Sequence, residues 1–436
     1  MVPRSDPPAR IHLAIGRPAR ALATIAVLAL SLCARSPSLN AFPVRTSAEP
    51  CEGILVPEGS DLERVMASNP AGTTYCLTAG RFQVSTTIST DDGDRVIGAG
   101  RNATFIDGSD LPATSPGIFE TSGETYFSNF DISGAPTPAA GSGIFCGTAS
   151  APFNSNCGKA FSIGGSSLTV VSVTCHDNGG NCIGGGGSTK VVVSDLDCWN
   201  NGNAYSMSPG FRYAACIKRA AIYEPGGDTR VTDSYIHDNA WVGIWCDFCK
   251  YGLFEIEGNR IVRNGATGVQ WEMSGGWTGD DRAVVRNNAF HDNNHLEKAP
   301  FRGGITISTA NDIIVSGNTF GGNSVAGVNV IYTASRNPPQ PDSRGVVIRD
   351  NTLGGDALLG CDRVPSPIRD GVMLVGFERE VRLLLGGGFL LVLIALVVFA
   401  VPLRVRLGIG LAGLVGLVLL ELPLVVQLGV TCTENA

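Results

Sequence analysis

A chain of 436 residues has room for two or three ordinary domains, or for one long solenoid. Its 56 glycines and 16% charged residues fit a turn-rich β architecture and exclude a disordered chain. Residues 49–378 carry 22 basic against 35 acidic side chains, a net charge of −13 that excludes a nucleic-acid-binding surface and repels a polyuronate unless Ca²⁺ bridges the two.

At the N-terminus Arg10, Arg17 and Arg20 precede the apolar run Ala21 to Ala34, the pattern of a secretory signal, and residues 1–48 read as signal and linker. Ser60-Asp-Leu-Glu63 has the form of a capping box and predicts a short helix through about Asn69, stopped by Pro70. Such a helix covers the exposed end of a solenoid, where bare strands would pair with other chains. Gly184 to Gly187 reads as a loop, and without a following helix or Lys-Ser/Thr it is no phosphate cradle.

From residue 175 onward one pattern recurs. An apolar residue, two variable positions and an asparagine repeat six times, at Asn178, Asn201, Asn239, Asn264, Asn293 and Asn323, with Cys175, Cys198, Ile236, Ile261, Phe290 and Phe320 three positions earlier. A second asparagine stands five positions before the last three, at Asn259, Asn288 and Asn318. The intervals of 23, 38, 25, 29 and 30 residues are those of solenoid turns, with loops absorbing the excess. Short runs such as Val191-Val192-Val193 and Ile313-Ile314-Val315 supply the strands, which share a core only by stacking about 4.8 Å apart. Asparagine suits the corners because it tolerates left-handed backbone angles and its amide can bond backbone or the next rung.

The repeats Ser234-Tyr-Ile-His-Asp-Asn239, Asn259-Arg-Ile-Val-Arg-Asn264 and Asn288-Ala-Phe-His-Asp-Asn293 resemble those of right-handed parallel β-helix proteins of the pectate-lyase-like superfamily, over residues 50 to 356. The resemblance implies an all-β solenoid at residues 49–378 and, more loosely, a polysaccharide partner. That superfamily holds polysaccharide lyases, polygalacturonases, alginate epimerases and phage tailspikes. Neither the paired-aspartate and His-Gly pattern of the polygalacturonases nor the Asp-Pro-His signature of the alginate epimerases is present.

Of 13 cysteines, Cys33 falls in the signal and 12 remain. Local pairing joins 51 with 76, 146 with 157, 175 with 182, 198 with 216, 246 with 249, and 361 with 432. Direct bonding of Cys175 to Cys198, or two buried thiols there, are the alternatives, since both occupy one position in adjacent turns. Cys246-Asp-Phe-Cys249 lacks a second cysteine pair or a βαβ setting, which points to a structural disulfide or buried thiols rather than a redox or zinc site.

Aligning strand-opening glycines sets Gly243-Ile-Trp-Cys-Asp247 over Gly268-Val-Gln-Trp-Glu272 and Gly304-Ile-Thr-Ile-Ser308. Alternation then sends Ile244, Cys246, Val269, Trp271, Ile305 and Ile307 inward, and Trp245, Asp247, Gln270, Glu272, Thr306 and Ser308 outward, with Lys218 beside Trp245. An exposed tryptophan among these groups suggests a sugar site. In that reading Trp245 is a platform for a pyranose ring, and Gln270, Thr306 and Ser308 bind hydroxyls. Asp247 and Glu272, about 5 Å apart, act with Lys218 as catalytic groups or hold Ca²⁺. The plainer reading has both carboxylates bonding loop backbone at the strand ends. His176, His237 and His291 share another column, each followed by aspartate, and read as surface His-Asp corners rather than metal ligands.

Insertions at Asn203–Arg212, Asn294–Arg302 and Thr333–Arg344 are expected to wall one face. Leu383 to Leu403 is 21 residues without a charge; Arg404-Val-Arg406 and a second apolar run, Leu407 to Val430, follow. Residues 379–436 thus predict a two-helix transmembrane hairpin with its basic loop in the cytoplasm and the β-helix outside. Two functions follow as expectations: a membrane-anchored extracellular β-helix that binds and processes a polysaccharide as a lyase or hydrolase, or a non-enzymatic surface stalk or adhesin.

Overall fold

The computed structural model describes residues 51–137, 157–187, 189–202, 214–222, 227–276, 282–296, 303–324, 326–331, 345–354, 356, 359–362 and 372–375. The expected signal and linker, Cys146, Cys432, most of the three insertions and both C-terminal apolar runs lie outside the described residues. Among the described residues no helix is long and apolar enough to cross a membrane.

The strands fall into three parallel sheets, of 12, 11 and 10 strands among the described residues. Each turn of chain gives one strand to each sheet, as Lys190–Ser194, Asp197–Trp199 and Ala215–Ile222 do in succession. Pairing repeats in register from turn to turn, so like residues stack on like. On the first sheet Val170, Val193, Val231, Ile256, Val285, Val315 and Ile348 form one inward column, all buried. On the third, Ile132, Cys175, Cys198, Ile236, Ile261, Phe290 and Phe320 form another. Branched and aromatic side chains suit a pleated surface whose alternate face is removed from water, at about 25 cal/mol per Å² of apolar area buried. Phe290 and Phe320 stack with centroids 5.2 Å apart, the geometry that register imposes on identical residues one turn apart.

The corners divide two duties that the sequence reading gave to one residue. The left-handed backbone angle falls on the residue before each ladder asparagine: Asp177, Asn200, Asp238, Arg263 and Asp292 have φ between 51 and 55°. The asparagine that follows is buried and turns its amide along the stack. Nδ2 of Asn178 donates to Oδ1 of Asn201 at 2.9 Å, and Asn201, Asn239, Asn264 and Asn293 repeat this at 3.0 to 3.1 Å as far as Asn323. Each amide also takes care of main chain: Asn264 Oδ1 accepts from the Asn239 N–H, and its Nδ2 donates to the Ile236 carbonyl. A second ladder runs through Asn259, Asn288, Asn318 and Asn351 at 3.0 Å per step. Corner backbone groups that bending withdraws from the sheets are thereby satisfied without water.

The capping helix spans Leu62–Ala67, and its N-cap is Asp61 rather than Ser60. The Asp61 carboxylate accepts from the Arg64 N–H at 3.0 Å, while Glu63 bonds the Thr86 hydroxyl instead of closing back on the cap. Leu62 and Met66 sit in the main core, so the helix does plug the solenoid end. The glycine run is also corrected: Ile183–Gly186 is a strand of the second sheet, not a loop. Disulfides join Cys51 to Cys76, Cys175 to Cys182, Cys198 to Cys216 and Cys246 to Cys249, as local pairing predicts, and Cys157 is also disulfide-bonded.

Replacing Asn264 by alanine removes a buried amide from the middle of the ladder and orphans the Asn239 N–H and the Ile236 carbonyl. The expected cost is about 2–4 kcal/mol of unfolding free energy, read from urea denaturation. A loss below about 0.5 kcal/mol would show that the ladder is not a structural element.

Candidate functional site on the second sheet

Four consecutive strands of the second sheet, Ala215–Ile222, Val242–Tyr251, Val269–Glu272 and Ile305–Ser308, bring the expected residues together. Register places Lys218 beside Trp245, Trp245 beside Gln270, and Gln270 beside Thr306. The adjoining outward column runs Asp247, Glu272, Ser308. Ile244, Cys246, Val269, Trp271, Ile305 and Ile307 all point into the main core, as alternation requires.

The exposure of the outward face differs from the expectation. Trp245, Gln270 and Thr306 are 0% exposed, Ser308 1% and Glu272 4%. Trp245 belongs to a second apolar cluster with Ala215, Trp241, Val242 and Ala266, separate from the lumen core. A period of two separates lumen from exterior, but it does not say whether the exterior is wet. Here a layer of side chains covers it. Trp245 is therefore not an open platform.

Within this layer the Lys218 ammonium lies 3.8 Å from the centroid of the Trp245 ring and 3.3 Å from the Asp247 carboxylate. Burial pushes the Lys218 pKa down; Asp247 and, more weakly, Glu272 oppose that without cancelling it. Lys218 supplies the positive charge that two neighbouring carboxylates need. The donor set fits Ca²⁺ poorly, since that ion takes six to eight oxygens and here, among the described residues, an ammonium stands against one of two carboxylates. Asp247, with 17% of its side chain exposed, is the point at which solvent reaches the cluster.

Two features escaped the sequence reading. Lys159, on the strand Lys159–Ile163 two turns before Lys218, is buried outside the lumen on the same sheet. Gly184, on the intervening strand, makes room for it: a Cβ there would stand 3.2 Å from Lys159 Cδ and Cε. The glycine run was the available signal. The second feature is unsatisfied hydrogen-bonding capacity. Both amide atoms of Gln270 and both of Asn329, which pairs with Thr306 in the next turn, are buried without a hydrogen-bond partner.

The histidine column on the third sheet is structural. His176 bonds Asp177 at 2.6 Å and Asp131 at 3.0 Å and stacks on Trp199 at 4.2 Å; His237 is held in the same way by Asp238 and Asp197. Burial disfavours the charged form of His176, but the bonds to Asp131 and Asp177 outweigh it and raise the pKa. Among the described residues no group of three or more His, Cys, Asp or Glu side chains is arranged to hold a metal ion.

Residues 116–278 match the family described as right handed beta helix region. The chain is a right-handed parallel β-helix repeat protein. Solved structures of this architecture resemble it at low identity. The A-module of mannuronan C-5 epimerase AlgE4 from Azotobacter vinelandii is 14% identical, with 72% of this chain and 93% of that one covered and a TM-score of 0.37. PfbA, a surface adhesin of Streptococcus pneumoniae, is 12% identical over 72% of this β-helix chain and 77% of its own, with a TM-score of 0.46. The PL6 family alginate lyase AlyGC is 14% identical over 70% and 40%, with a TM-score of 0.43. A comparison with curated proteins found no match. The likeness is one of fold.

Burial lowers the Lys159 pKa from 10.5 to about 8, with Glu120 opposing the shift and Lys218 adding to it. The unfolded chain therefore holds more protons than the folded one between these values, and stability is expected to rise with pH across that window. Lys159→Met should reduce the rise in urea midpoint seen in the unaltered protein, leaving the share that the buried Lys218 contributes. An equal rise in the variant would contradict the burial of Lys159.

Proposed function

We propose that the outward face of the second sheet binds a polysaccharide, with Asp247, Glu272 and Lys218 as the groups able to move protons on it. The β-helix is exported and held at the membrane by the apolar runs at 383–403 and 407–430, so that the site faces outside the cell. The observation that carries the reading is the unsatisfied amide pair, Gln270 and Asn329, in one outward column with Lys218 and Thr306. Buried amides without partners are costly, and their persistence here is explained by hydroxyl groups of a ligand that complete them. A sugar carries such hydroxyls at a spacing comparable to the rungs, and the indole of Trp245 offers it an apolar face.

Reaching this layer requires its cover to open, and Asp247 marks where entry begins. Once bound, the ligand meets a lysine whose neutral form burial favours, and two carboxylates. That combination suits proton abstraction by an amine, as in a lyase, or acid and base work by the carboxylates, as in a hydrolase. A second reading, a non-enzymatic stalk or adhesin, draws on the complete cover over Trp245.

Gln270→Leu separates the two. Replacing an unsatisfied amide by an apolar side chain should raise the stability of the free protein by about 1 kcal/mol. In the polysaccharide reading it should also weaken glycan binding at least about tenfold in calorimetry, which corresponds to about 1.4 kcal/mol. Asp247→Asn should abolish turnover of the bound glycan, and chelation of Ca²⁺ should leave binding unchanged. Equal glycan binding by the unaltered protein and both variants would sink the site and leave the stalk.

A further inference from the structure

Arg219 follows Lys218 on the strand Ala215–Ile222, so its side chain points to the opposite face, into the lumen. In register it lies between Gly185 of the preceding turn and Cys246 of the next, and Cys246 belongs to the main core. Arg219 is 0% exposed and is among the largest fully buried side chains. Its Nη2 donates to the Thr189 carbonyl at 2.6 Å, but Nε and Nη1 have no hydrogen-bond partner.

Among the described residues no carboxylate compensates this charge. Burial alone acts on the guanidinium, lowering its pKa to about 10, which still leaves it protonated at neutral pH. The scarcity is local: residues 49–378 carry 35 acidic side chains, and none of those described acts on this guanidinium. A buried ion without a counter-charge is among the most unfavourable elements a core can hold. One carbonyl supplies only part of a charge, and a water molecule would satisfy an N–H without neutralising the ion. Gly185, the register partner of Arg219 in the preceding turn, brings no side chain of its own to the guanidinium, and Ile163 fills the place a Cβ would take there.

We infer that Arg219 is the seat of a small inorganic anion enclosed in the lumen and held by the Nε and Nη1 hydrogens. Chloride has the required charge, is small, and accepts from both N–H groups without needing a hydrogen-bond donor of its own. The anion stabilises the turn at which the long strands Ala215–Ile222 and Val242–Tyr251 begin to carry the second-sheet site, and it is independent of any glycan.

The test is thermal unfolding of the full chain at fixed ionic strength, with chloride progressively replaced by gluconate. A single lumen site predicts a midpoint that rises by several degrees over about a hundredfold increase in chloride. The rise should vanish in Arg219→Met, which keeps the length of the side chain and removes the charge. A midpoint indifferent to chloride in the unaltered protein, or an equal rise in the variant, would overturn the inference. Where Arg219→Met does not fold, crystals of the unaltered protein grown in sodium bromide decide: an anomalous bromide peak against the guanidinium supports the site, and its absence rejects it.

Discussion

Everything in this molecule depends on the in-register stacking of one turn on the next, and the asparagine ladders are what hold that stacking at the corners. Strand pairing alone would allow neighbouring turns to slip, and a slip of one residue exchanges the lumen and exterior faces of a strand. A buried amide that donates to its counterpart and to the main chain of the preceding turn cannot slip without losing several hydrogen bonds together. The left-handed residue before each asparagine turns the chain sharply enough to aim that amide inward. Cost and benefit are separated between adjacent residues: Asp, Asn, Gly or, at 263, Arg accepts the backbone angle, and asparagine collects the bonds.

Register then determines chemistry. Because residues at one position form a column, the exterior of the second sheet brings together Lys218, Trp245, Gln270 and Thr306 from strands separated by 25 to 36 residues, without any of them being neighbours in the chain. The same alternation drives Arg219 into the lumen while its neighbour Lys218 faces out. Two cations on one strand thus meet different environments: one is matched by Asp247, the other by no acidic side chain among the described residues. The Cys246–Cys249 disulfide lies beneath Asp247, where the left-handed Phe248 lets both cysteines point inward past one extra residue.

The repeat, the inward columns and the local disulfides were legible in the sequence because each rests on spacing. The turn-to-turn alignment of Trp245 with Gln270 and of Asp247 with Glu272 was legible for the same reason. Burial of Trp245 was not, since it arises from a second layer built by Trp241, Ala215 and Ala266, and no periodicity in one strand reports what lies above it. Lys159 was missed because its side chain runs over a glycine: an absent side chain on the strand Ile183–Gly186 reads as a break when it in fact leaves room for the lysine. The N-cap moved from Ser60 to Asp61 because either residue can cap, and packing of Leu62 and Met66 against the core decides between them.

The central claim is that the exterior of the second sheet is one interacting polar layer rather than a set of independently solvated side chains. A double-mutant cycle on Lys218 and Asp247, using Lys218→Met, Asp247→Asn and the pair, measures this directly through unfolding free energies. A covered ion pair 3.3 Å apart predicts a coupling of about 1–3 kcal/mol, with each single change costing more than the double change would suggest. Additive effects, with a coupling below about 0.3 kcal/mol, would show that the two groups face water separately and would contradict the account.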